Sequence, residues 1–125
     1  MRQIQKKATI FLILSLLSTS LSAQKTEVYK SPDAEFREGI ELIQKEKFVA
    51  AQHCFEQVID KTPDKVNEMR AMSMYYRAFC AGNLMHRNTE QLYLDFFDQY
   101  PQHNSTGDAR FYLARYYFQT KSFKK

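Results

Sequence analysis

Five residues between Pro32 and Lys65 limit what this chain can fold into more than any others: Gly39, Phe48, Ala51, Phe55 and Pro63, at successive spacings of nine, three, four and eight. Phe36, Gly39, Ile40, Leu42 and Ile43 recur at three- and four-residue steps up to Gln44, and Val49, Ala51, Phe55, Val58 and Ile59 do the same up to Lys61. Such periodicity predicts two amphipathic helices, 32–44 and 48–61, turning back on each other at Glu46-Lys47. Glycine costs a helix interior about 1 kcal/mol relative to alanine, so packing has to explain Gly39. Two helices that cross at roughly 8–10 Å leave no room for a larger side chain at the contact. Ala51 is then the reciprocal small contact, Phe48 and Phe55 fill the space between the helices, and Pro63 ends the second helix. Ser31 or Asp33 offers an N-cap, with Pro32 suited to the first turn. An ordinary hairpin with incidental spacing is the alternative.

The pattern then repeats in looser form. Met69, Met72, Tyr75, Tyr76, Phe79, Cys80 and Leu84 predict a helix over 67–83, with Gly82-Asn83 and His86-Arg87-Asn88 as turn chemistry. Asn88 or Thr89 is placed to cap a helix over 90–99, lined by Leu92, Tyr93, Phe96 and Phe97. Tyr100-Pro101 ends it as Thr62-Pro63 ended the earlier one, and the two prolines are 38 residues apart. A polar loop, 102–107, leads to a helix over 108–119. No stretch alternates like a strand, so the expected class is all-α.

In register, these positions resemble the tetratricopeptide repeat (TPR). With Pro32 as position one of a 34-residue unit, Gly39 falls at eight, Phe48 at seventeen, Ala51 at twenty, Phe55 at twenty-four and Pro63 at thirty-two. Residues 32–65 read as a first repeat, 66–103 as a second, TPR-like one ending at Pro101, and 104–125 as the first half of a third, with Ala114 at position eight and Phe123 matching Phe48. The resemblance implies antiparallel helix hairpins stacked as a right-handed solenoid, incomplete at its C-terminal end. A last helix of this kind leaves Phe111, Tyr112 and Tyr117 partly exposed, so the chain reads as the N-terminal part of a longer repeat protein or as a truncated frame. The runs YYRAFCAGNL and LDFFDQYPQHNSTGDARFYLARYYFQTKSF look like the opening of large exported TPR proteins of Gram-negative bacteria.

The first 23 residues stand apart from the repeats. Arg2, Lys6 and Lys7 precede an apolar run, Ala8–Leu17, and then a small, polar stretch ending at Ala23. That order predicts a signal peptide cleaved between Ala23 and Gln24, with 24–31 as a flexible leader. The run is short for a membrane span of about twenty residues, so membrane contact is expected through the signal segment alone. Its three basic residues supply most of the formal net charge of +4. The remainder is close to neutral, which removes the support for a nucleic-acid partner. An exported chain is expected in the periplasm or cell envelope, as a soluble protein.

No constellation for catalysis is evident. His53, His86 and His103 lack partners at metal-ligand spacing, and Gly39, Gly82 and Gly107 form no phosphate-cradling run. Cys54 and Cys80 sit among apolar residues and read as buried thiols, although export would permit a bridge. No cofactor or metal is expected. What the TPR resemblance implies instead is a concave face made by the first helix of each unit, which takes a protein or peptide partner. On the family's positions that face is Phe36, Ile40, Ile43 and Gln44, then Met74 and Ala78, then Phe111, Arg115 and Phe118. Phe36 and Ile40 stand where the chaperone-tail class has lysine and asparagine, so an apolar or helical partner is expected rather than a terminal carboxylate. The expected function is a protein-interaction scaffold without catalysis of its own. The alternative is an accessory repeat module of a longer enzyme or sensor.

Overall fold

The computed structural model describes residues 28–122, in which all regular structure is helical. The helices are α1 (Pro32–Gln44), α2 (Phe48–Lys61), α3 (Glu68–Asn83), α4 (Thr89–Gln99) and α5 (Thr106–Ser122). The expected signal peptide, most of the leader and the proposed match of Phe123 to Phe48 lie outside the described residues. None of the described helices is long and apolar enough to cross a membrane.

Local chemistry sets the helix ends. Ser31 accepts a hydrogen bond from Ala34 N–H, and Asn67 accepts one from Arg70 N–H, so both side chains satisfy an orphan donor of the first turn. α4 is different. Asn88 makes no side-chain capping bond, and Thr89 turns its hydroxyl back to the His86 carbonyl at 2.7 Å, so neither expected cap operates. Thr89 is instead fully buried beside Gly82.

The two hairpin turns share one geometry; the first falls at Glu46-Lys47 as expected, whereas in the second Gly82 belongs to the helix rather than to the turn. Glu46 and Met85 both sit at φ 56°, in the left-handed region, while Gly82 lies inside α3. In the first turn Lys45, Glu46 and Lys47 N–H groups donate to Glu41, Ile43 and Leu42 carbonyls. In the second, Leu84, Met85 and His86 N–H groups donate to Cys80, Gly82 and Ala81 carbonyls. The two sets superpose with an offset of 39 residues, which makes Ala78 the equivalent of Gly39.

Between α2 and α4 the offset is 38, as the prolines require. Ala51, Phe55 and Val58 then match Thr89, Tyr93 and Phe96, and all six are buried. Every helix packs on its neighbour in the chain; α1 also touches α3, and α3 touches α5, whereas α2 and α4 do not meet. The odd-numbered helices therefore form one contiguous layer.

Aromatic rings join the rungs. Phe36 meets Phe55 edge-on at 5.8 Å, Phe55 stacks on Tyr76 at 5.3 Å, Tyr76 abuts Tyr75 at 5.0 Å, and Tyr75 reaches Phe96 at 6.0 Å. Arg70 ties α2 to α3 by donating to the Ile59 and Thr62 carbonyls at 2.6 and 2.9 Å, which closes a buried helix C-terminus with a cation. His103 anchors the α4–α5 loop. Ser105 N–H donates to its Nδ1, so the proton sits on Nε2, which donates to Glu68 Oε1 at 2.9 Å.

Candidate functional site

The layer made by α1, α3 and α5 is the candidate surface. Its centre is a cleft between α3 and α5, lined by Phe79, Gly82, Asn83, Tyr112, Arg115 and Gln119, with Tyr93 of α4 behind it. Tyr112 packs edge-on against Phe79 at 4.9 Å, which seals all but about 20 Å³ of it. That volume holds roughly one water and is far below the several hundred Å³ of a small-molecule site. A larger concavity of about 470 Å³ lies at the hairpin tips, walled by Phe48, Val49, Ala50 and Leu84, but it is shallow and almost wholly apolar.

The predicted face is only partly assembled here. Gln44 and Arg115 are exposed, as are Phe111 and Phe118 at 66% and 75%. Phe36, Ile40 and Ile43 are half-buried against the cluster of Ala51, Phe55 and Cys80, so much of their surface serves the core. Met74 and Ala78 are not available to a partner. They are 2% and 0% exposed and lie in the second core cluster with Tyr75, Tyr93 and Phe96. The cause is register: Ala78 stands at the small crossing position, one place earlier than position nine. Shifting by that residue replaces Met74 with Tyr75, the equivalent of Phe36 and itself buried, and Ala78 with Phe79, the equivalent of Ile40, and it sets Asn83 at the place of Gln44.

The residues assigned to repeat positions from the sequence lie in unlike surroundings. A methyl at Gly39 would lie 2.7 Å from the Phe55 ring, so the close approach of α1 and α2 is real. Ala51 and Phe55 are fully buried, Phe48 packs against Phe79 at 6.2 Å, and Pro63 and Pro101 lie exposed just past the ends of α2 and α4. Ala114 is exposed on α5.

Burial shifts several titratable groups near the layer. Burial pushes the Tyr75 and Tyr93 hydroxyls upward and the Cys80 thiol up to about 12, while Cys54, half-buried, is raised by the same cause. Both cysteines are free thiols. The Tyr117 hydroxyl is raised by its hydrogen bond to Glu90, which pins α5 to α4. Among the described residues no three His, Cys, Asp or Glu side chains converge where they could hold a metal ion. Compared with protein-family models, curated proteins and solved structures, the chain has no match.

Proposed function

We propose that the chain is an exported scaffold of TPR-type hairpins, stacked as the start of a right-handed solenoid, that holds a protein partner along the layer of α1, α3 and α5. The observation that carries this reading is the repetition of one hairpin turn, residue for residue, at a 39-residue offset, with α1 touching α3 and α3 touching α5 while α2 and α4 stay apart. Helices that approach along one layer and spread along the other give a stack an inner face. On that face the residues free to meet a partner are Gln44, Asn83, Arg115 and Gln119, interleaved with the half-buried rings of Phe79 and Tyr112. The cleft between α3 and α5, about 20 Å³, has no space for a metabolite, so recognition on this face is by surface complementarity, with the rings as apolar anchors. The scaffold needs no catalysis of its own. Export rests on the order of the first 23 residues and places the partner in the periplasm or envelope.

Replacing Gln44 and Asn83 together by arginine tests the reading, because both are exposed at equivalent helix ends. The polypeptide that co-isolates with the tagged, exported chain should fall by about tenfold, a loss of some 1.4 kcal/mol, with an unchanged thermal midpoint. Asp60→Arg, on the outer helix α2, should leave it unaltered. Equal recovery with all three chains would overturn the assignment.

A further inference from the structure

Neighbouring helices run antiparallel: Phe48 at the start of α2 meets Phe79 near the end of α3, and Gly82 at the end of α3 lies beside Thr89 at the start of α4. The α1–α2 and α3–α4 turns therefore open on one edge of the molecule, and the α2–α3 loop opens on the other. The first edge is apolar at its centre. Phe48, Val49 and Ala50 beside one turn and Leu84 of the other wall the shallow concavity of about 470 Å³. Val49 is 68% exposed, and Met85, next to Leu84, is 38% exposed. Exposed apolar side chains gathered in one place mark a contact site, whereas scattered ones need no explanation.

The charges around this patch decide what covers it. Lys45 and Lys47 belong to the first turn and Arg87 to the second, all three exposed. Lys47 borders the concavity with Val49 and Leu84, and Arg87 borders a second one with Met85. Glu46 is the one acid in the two turns, and Glu90 just beyond them is engaged by the Tyr117 hydroxyl. The opposite edge differs in sign. Val66 is 90% exposed there, but it stands between Asp64 and Glu68, with one cation, Lys65, beside it. Apolar side chains at the tips of two turns, with cations around them, suit a partner that is apolar within and anionic at its surface. The lysine and arginine stems can lie along the apolar residues while their charged heads reach phosphate. We infer that the edge formed by the α1–α2 and α3–α4 turns docks on a lipid surface rich in anionic headgroups. Val49 and Met85 enter the headgroup boundary, and Lys45, Lys47 and Arg87 meet the phosphates. No described helix crosses a membrane, so this contact is peripheral and adds to the one expected of the signal segment.

Vesicle co-sedimentation of the exported chain tests this docking with no polypeptide partner present, so its failure leaves the inner-face reading standing. Binding should be about tenfold stronger to phosphatidylcholine vesicles containing about one-third phosphatidylglycerol than to phosphatidylcholine alone, and it should weaken as added salt shortens the Debye length. Lys47→Glu with Arg87→Glu should lower binding by about tenfold or more, since each cation near an anionic surface contributes about fivefold. Val49→Ser with Met85→Gly removes the apolar contact and should lower it about fivefold, whereas Val66→Ser on the other edge should leave it unchanged. Glycine suits the left-handed backbone at position 85, so lost binding with an undiminished helical circular dichroism separates docking from folding. Equal binding to both kinds of vesicle would overturn the inference, as would binding that either pair of substitutions leaves unaltered or that Val66→Ser lowers as much. A chain that stays off the anionic vesicles would also overturn it and leave the edge to an acidic protein surface.

Discussion

At the residue scale, Gly39 carries the tightest constraint. The Phe55 ring that its missing side chain admits is fully buried and wedged between Phe36 and Tyr76, so it cannot swing aside cheaply. Gly39→Ala gains about 1 kcal/mol of helix propensity but forces overpacking of roughly 1–3 kcal/mol, so a net loss of about 1 kcal/mol is expected in chemical denaturation. Gly107→Ala should act in the opposite sense. Nothing lies within 4 Å of its added methyl, in the first turn of α5, and a gain of about 0.5 kcal/mol is expected. Two alanines with opposite signs separate a packing glycine from an incidental one. The packing role of Gly39 was legible in the sequence because a costly residue in a helix demands a reason. The role of Ala78 was not, since alanine is favourable in any helix and its position fits two registers one residue apart.

Elements show where composition misleads. Helix spans followed the apolar period closely: α2 runs from Phe48 to Lys61 as expected, and α3 begins at Glu68 behind the Asn67 cap. The first turn falls at Glu46-Lys47 as expected, but the second does not use Gly82: the left-handed positions of the two turns are held by Glu46 and Met85, at φ 56°. A residue with a Cβ there costs on the order of 1 kcal/mol, which the chain tolerates because three backbone N–H groups close onto the helix carbonyls. Glu46→Gly and Met85→Gly should therefore each stabilise the protein by about 1 kcal/mol, measured as a higher denaturant midpoint at constant m-value. The register of the second unit was hidden for the same reason, since its decisive signal is a backbone geometry shared by Lys45-Glu46-Lys47 and Leu84-Met85-His86, two triplets without one residue in common. α5 was legible as a helix.

At the scale of the whole molecule, the aromatic chain from Phe36 to Phe96 and the contiguous α1, α3 and α5 layer make each hairpin depend on its neighbour. The two layers differ in their surface chemistry. The outer helices α2 and α4 carry Asp60 and Asp98 toward solvent, whereas the inner layer presents rings between uncharged polar side chains at matching helix ends. The sequence pointed to the inner helices through their resemblance to a known repeat, yet the members of the face depend on a one-residue register that only the helix ends reveal. A photoreactive amino acid placed at Asn83 in the exported chain, with the same group at Asp60 as the comparison, tests the scaffold reading most directly in living cells. A discrete adduct with another polypeptide from position 83 and none from position 60 is the expected result. Adducts of equal yield from both positions, or from position 60 alone, would contradict an inner face that holds a partner.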